Sequence, residues 1–226
     1  MVFAVGWPGN ADGLNLLPVG IEVGRGGYVR VEDALRTSAP HVFAAGDLTG
    51  WMMLVQSATR EAEIAAENAV LDGDRTLRHA VVPHGGFTEP EYGSVGLTAE
   101  EARRDEDDCA VAVVPYADLD RGIIDGRPGG SCKLIVSRAT RRLLGSHIVG
   151  EQAVEVVQVV ATAMRAGMRV EQLAYPTFTA VVGLAARRIT RSIGLVPLAR
   201  DDRERTRAAH PGRRVGAWER LTPPGW

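Results

Sequence analysis

The spacing of apolar and polar positions changes several times along the chain, and each change marks an element. Residues 1–6 read as a short apolar strand. A buried strand needs neighbours for its edges, so such an opening suggests a chain that continues an earlier domain. Residues 7–27 are glycine-rich and turn-like, and residues 28–31 and 42–45 read as short strands. Residues 53–71 predict a helix, with Leu54, Ala58, Ala62, Ala65 and Ala69 on one face and Arg60, Glu63 and Glu67 on the other. Gly73 is placed to end it.

Residues 74–82 carry no strong pattern and predict a boundary. Beyond it, residues 92–97 read as a strand, and Thr98 with Glu101 forms a capping box for a short helix running to about Arg104. Residues 110–114 predict a strand, and residues 132–136 and 143–149 a hairpin. Residues 152–166 alternate Glu155, Gln158, Thr162 and Arg165 against Ala153, Val156, Val157, Val160 and Met164. The period fits a helix, with a strand as the competing reading because valine disfavours helices. Residues 180–191 predict a last helix, with Arg187, Arg188 and Arg191 where its dipole favours cations. From about Arg200 the apolar period fails, and residues 199–226 predict a disordered, arginine-rich tail, or else a basic arm for a partner.

Length and charge narrow the picture. A chain of 226 residues amounts to roughly one and a half typical domains. Aromatics are only 5%, so the core must be built from Val, Ala, Leu and Ile. The 26 basic and 28 acidic residues nearly balance, which argues against nucleic acid as a main partner. Lys133 is the only lysine. No apolar run is long enough to span a membrane, and the first residues lack the basic start of a signal peptide. Cys109 and Cys132 form no local redox or metal motif, and two free thiols fit a reducing, cytoplasmic setting. His41, His79, His84, His147 and His210 form no ligand cluster, and Glu89 and Glu91, flanking Pro90, read as turn residues.

The sharpest chemical feature is Val42-Phe43-Ala44-Ala45-Gly46-Asp47-Leu48-Thr49-Gly50. A short strand runs into Gly46-Asp47 and on towards a helix, the place where open α/β folds bind ligands. Gly46 lets the backbone approach a ligand, and Asp47 can accept hydrogen bonds from a sugar-like hydroxyl. Alternatively, Asp47 caps the following helix.

The segment Thr37-Ser38-Ala39-Pro40-His41-Val42-Phe43-Ala44-Ala45-Gly46-Asp47 resembles the second flavin-binding motif of the pyridine nucleotide-disulphide oxidoreductases. The resemblance implies that Gly46 and Asp47 meet the ribityl chain of FAD. It also implies that Met53, Leu54 and Val55 start the helix whose backbone faces the pyrimidine edge of the flavin. Phe87-Thr88-Glu89-Pro90-Glu91-Tyr92-Gly93-Ser94-Val95-Gly96-Leu97-Thr98 resembles the opening of the family's dimerisation domain, Leu144 to Gly150 its central hairpin, and residues 151–167 its long helix. Ala4-Val5-Gly6 with Asn10 is similar to the end of the NAD(P)-binding domain.

The likeness is thus to the C-terminal half of such an enzyme, over roughly residues 1–198. It implies an α/β protein: residues 1–75 a partial nucleotide-binding segment, residues 81–198 an α+β dimerisation domain with a largely antiparallel sheet and helices on one face. It implies a homodimer formed through residues 81–198, and FAD with NAD(P)H as cofactors of the intact enzyme, a separate N-terminal half being a possible partner. The family's glycine-rich dinucleotide fingerprint and redox-active cysteine pair do not occur in this chain. Where disulphide reductases carry His-Pro-Thr and then a glutamate, this chain has Tyr175-Pro176-Thr177 and Ala180. A phenol of ordinary pKa near 10 is a poor base at neutral pH. Tyr-Pro-Thr resembles the soluble transhydrogenase and quinone-reducing relatives, which implies electron transfer from flavin to a small acceptor such as a quinone without a dithiol. The competing expectation is a non-catalytic dimerisation module.

Overall fold

A computed structural model describes residues 1–77, 80–105, 108–173 and 178–194. The sequence readings at His79, Tyr175-Pro176-Thr177, His210 and residues 199–226 lie outside the described residues.

The first 50 residues form turns and single bridges rather than strands. Residues 1–6 are extended but unpaired among the described residues, with Met1, Val2, Phe3 and Val5 exposed. The predicted opening strand is therefore not formed: its apolar pattern has no ladder to join. The strands expected at 28–31 and 42–45 reduce to isolated bridges, Val23–Val29, Val31–Thr37 and Arg36–Phe43. Ala11, Ile21, Val29, Ala39 and Ala44 pack into a small core beneath them.

Helix α1, Val55–Leu71, follows. Its buried face is Ser57, Glu61, Ile64, Ala65 and Asn68, whereas Ala62 and Ala69 of the expected apolar face are exposed. The alanine stripe loses because the contacts to be made are largely polar. Asn68 Nδ2 donates to the carbonyls of Ala34 and Arg75, and its Oδ1 accepts the Arg75 N–H. Glu61 and Asn68 thus meet the irregular segments the helix supports, where backbone groups need partners. Asp72 takes the left-handed turn at the helix end, and the Gly73 N–H then reaches the Asn68 carbonyl.

The second unit is one antiparallel sheet. Strands β1 (His84–Gly86), β2 (Tyr92–Gly96), β3 (Cys109–Pro115), β4 (Gly130–Ser137) and β5 (Leu143–Gly150) lie in the order β1-β2-β5-β4-β3. The β4–β5 hairpin is as its period of two predicts, with a register shift at Ile135/Val136. Strand β1 and the short helix α3 (Asp120–Ile124) were not legible, being too short for a period. Helix α2 (Ala99–Asp105) carries the expected capping box: the Thr98 N–H donates to Glu101, and the Glu101 N–H to Thr98 Oγ1. The Thr98 backbone N–H, followed by the Thr98 hydroxyl, holds the Glu101 carboxyl below its ordinary range.

Helices α4 (Ala153–Arg165) and α5 (Ala180–Ser192) cover one sheet face. Helix α4 packs on β2 and β5, and α5 on β3 and β4. Helix, not strand, is the outcome for the valine-rich run, because Val156, Val157 and Val160 all turn to the same buried core. Gly93 makes the close approach of α4 possible: a Cβ there would come within 2.5 Å of the Ala153 carbonyl oxygen. No described helix is long and apolar enough to cross a membrane.

Candidate functional site

The site is assembled around Gly46. This residue has a φ of 76°, a conformation that L side chains resist, so glycine suits the turn. Its N–H donates to Glu61 Oε2 at 2.6 Å, and its carbonyl accepts from Thr49 Oγ1 at 2.9 Å. The turn from Gly46 to Thr49 is thereby pinned from both sides, leaving Asp47 exposed at its tip.

Asp47 is not the cap of a helix. Neither the 3-10 turn at Gly46–Thr49 nor α1 has a side-chain cap bond. Instead Asp47 Oδ2 accepts the indole Nε1–H of Trp7 at 3.2 Å. The Tyr28 hydroxyl donates to the Trp7 carbonyl at 2.6 Å and lies 3.8 Å from Met53 Sδ. The Tyr28 ring fills the space beside Gly50, where a Cβ would come within 2.6 Å of it. Trp7, Tyr28, Asp47 and Met53 thus form a connected patch from four separate parts of the sequence.

Met53 and Leu54 are half-buried and Val55 is exposed at the start of α1. Leu54 is extended and its carbonyl accepts the Ala58 N–H. With no side-chain cap and no acid in the first turn, the leading N–H groups of this 17-residue helix are free to meet an acceptor. The five sequence-predicted positions therefore come together: Gly46 and Asp47 in one pinned turn, Met53, Leu54 and Val55 at the helix entrance, joined through Tyr28 and Trp7. An exposed carboxylate for hydroxyls beside uncapped N–H groups for carbonyl oxygens fits the ribityl and pyrimidine parts of a flavin.

Sequence reasoning missed Trp7, Tyr28 and Glu61. The available signal for Glu61 was its spacing with Ser57 and Asn68, which places three polar residues on one face of α1. Glu61 has no exposed surface.

The remaining candidates have structural places. Cys109 is half-buried on β3, opposite Ser137, while Cys132 on β4 is opposite Val114. Five residues of strand separate them, about 17 Å, far beyond disulphide reach. Burial pushes the Cys132 thiol up to about 12, partly offset by the Ser146 hydroxyl. His147 links β5 to β2: Ser94 Oγ lies 2.6 Å from its Nδ1, and its Nε2 lies 3.1 Å from the Leu97 carbonyl oxygen. Glu91 accepts the Val154 N–H at the start of α4, and Glu89 pairs with Arg127. Among the described residues no group of three His, Cys, Asp or Glu side chains could hold a metal ion.

Val159, Thr162 and Ala163 of α4 and Val182 of α5, with Met168 and Leu173, line a cleft of about 350 Å³. Val159 is 40% exposed there.

Residues 1–62 match the family model described as pyridine nucleotide-disulphide oxidoreductase, and residues 82–185 match that family's dimerisation domain. The chain is 35% identical over 199 residues to a dihydrolipoyl dehydrogenase of Chlorobaculum tepidum, covering 86% of this chain and 42% of the relative. It is 34% identical over 200 residues to a mercuric reductase of Streptomyces lividans, covering 85% and 42%. The crystal structure of LpdA from Mycobacterium tuberculosis superposes with a TM-score of 0.72 at 30% identity, over 80% of this chain and 40% of that one. The HOCl-induced flavoprotein disulfide reductase RclA from Escherichia coli gives 0.72 at 26% identity, over 81% and 44%. The chain spans less than half the length of these relatives.

Proposed function

The chain belongs to the pyridine nucleotide-disulphide oxidoreductase family, and from that premise we propose that it forms the C-terminal half of an FAD-dependent NAD(P)H oxidoreductase. In this reading Asp47 binds ribityl hydroxyls, and the start of α1 at Met53, Leu54 and Val55 faces the flavin's pyrimidine carbonyls. The bound flavin would supply the redox chemistry; the chain orients it and shields one edge. The observation that carries the reading is the pinned Gly46–Asp47 turn beside an uncapped helix start.

The acceptor proposed is a small molecule such as a quinone, reduced directly by flavin. One feature of this chain supports it. Tyr175 and Ala180 stand where disulphide reductases resemble one another in a histidine and a glutamate, so the proton-relay pair of dithiol chemistry is missing. The enzyme is proposed to work as a homodimer through residues 81–198 in the cytoplasm, where free thiols persist.

The test is to mix the purified chain with FAD, desalt, and read the flavin absorption band and fluorescence. Retained, quenched flavin supports the reading, and a colourless protein counts against binding by this chain. A second reading, a dimerisation module without catalysis, is favoured by the continuous core of the sheet and its two helices. A dimer in light scattering with no flavin uptake would select it.

A further inference from the structure

A carboxylate with no exposed surface is costly, because burial strips its water and the protein must replace those hydrogen bonds. Glu61 is such a residue, on the buried face of α1 with Ile64 and Ala65. Its Oε2 meets the N–H of Gly46, the residue just before Asp47. At 2.6 Å this is a short bond. The neighbouring geometry makes the contact consequential. Gly46 sits in the left-handed region, where glycine is as free to leave as to stay. Gly46 is buried, yet an added Cβ would meet only Ala58 Cβ, at 3.4 Å, so no tight steric contact on that side fixes the turn. Thr49 closes the turn through the Gly46 carbonyl but leaves the N–H direction undetermined. The helix carrying Glu61 is also the one that Met53 and Leu54 lead into and Val55 begins. One side chain therefore ties the Asp47 turn to the helix entrance.

We propose that Glu61 is a positioning residue that locks the Gly46–Asp47 turn against α1 and so sets where the Asp47 carboxylate meets its ligand. The inference rests on the flavin reading only for the identity of that ligand. Its action runs through the Gly46 amide. Loss of a bond between a backbone N–H and a carboxylate corresponds to roughly tenfold or more in an equilibrium constant.

The test uses the full chain, Glu61→Ala and Glu61→Gln. Backbone amide exchange at Gly46 and the Trp7 indole N–H resonance report the turn without any flavin, and FAD titration reports the ligand. Circular dichroism checks that the sheet unit, whose core is separate, stays folded. The expected result for Glu61→Ala is faster Gly46 exchange, a shifted Trp7 indole signal and FAD affinity down by roughly tenfold or more. Glu61→Gln keeps an acceptor oxygen and should recover most of each. If the parent chain binds FAD and Glu61→Ala binds it equally well, the positioning role is overturned and the flavin reading stands. If the parent takes up no FAD yet Glu61→Ala still frees Gly46 and moves Trp7, the flavin reading fails and the positioning role stands. Unchanged exchange at Gly46 in Glu61→Ala overturns the proposal outright.

Discussion

The indole of Trp7 donates a hydrogen bond to Asp47 Oδ2 at 3.2 Å, joining the first turn of the chain to the turn that presents the carboxylate. The contact uses one carboxylate oxygen and leaves Oδ1 for a ligand, so Trp7 orients Asp47 without saturating it. Removing the carboxylate should therefore cost more than removing the indole. Asp47→Ala is expected to weaken flavin binding by more than roughly tenfold, and Trp7→Phe by less. Fluorescence titration of both variants measures this, and equal losses would contradict the assigned order.

Gly93 sits under α4, where a methyl group would meet the Ala153 carbonyl and the Val157 side chain. Gly93→Ala must push the helix off the sheet. The expected destabilisation is about 1–3 kcal/mol, the usual range for overpacking, read from denaturant midpoints. An unchanged midpoint would mean that α4 does not dock as closely as the structure places it.

The sheet unit was the more legible part of the chain, for a reason these residues make clear. Leu134 and Val136 on β4 and Ile148 on β5 face one core, so their period of two survives in the sequence. Helix α4 keeps period 3.6 because Val156, Val157 and Val160 serve that same core. The region before α1 lacks such a surface. Phe43 pairs with Arg36 through a single bridge while its ring packs beside Leu35 and Ile64, and the apolar run around it looked like a strand that no described neighbour extends. Helix α1 was placed well but its buried face was misjudged, since Glu61 and Asn68 are polar groups bonded to backbone and Ser57 is buried beside them on that face. The Gly46-Asp47 motif was legible from resemblance. The roles of Trp7 and Tyr28 were not, because hydrogen bonds between distant segments leave no period.

The two thiols should differ sharply in reactivity. A thiolate is the reactive form, and burial that pushes Cys132 up to about 12 keeps it protonated at neutral pH. Half-buried Cys109 should be alkylated by iodoacetamide in the native chain, with Cys132 modified only after unfolding. Mass spectrometry of tryptic peptides reads this. The same raised value means that the thiol of Cys132 should not lose its proton until the pH nears 12. Equal labelling of the two under native conditions would contradict the buried position of β4.

Val159 is an exposed apolar residue on α4, at the mouth of an apolar cleft shared with α5. If this face lies in the homodimer, a charge there must be desolvated on association. Val159→Glu is expected to shift sedimentation toward monomer at concentrations where the parent chain is dimeric. An unaltered dimer would place the interface on another face.

The central claim is that residues 46–55 hold the flavin end, not the adenine end, of FAD. The direct measurement is a fluorescence titration of the chain with FAD, FMN and riboflavin, followed by competition with ADP. The account predicts that all three flavins bind with similar affinity and that ADP does not displace them. Absence of binding by every flavin, or displacement by ADP, would contradict it.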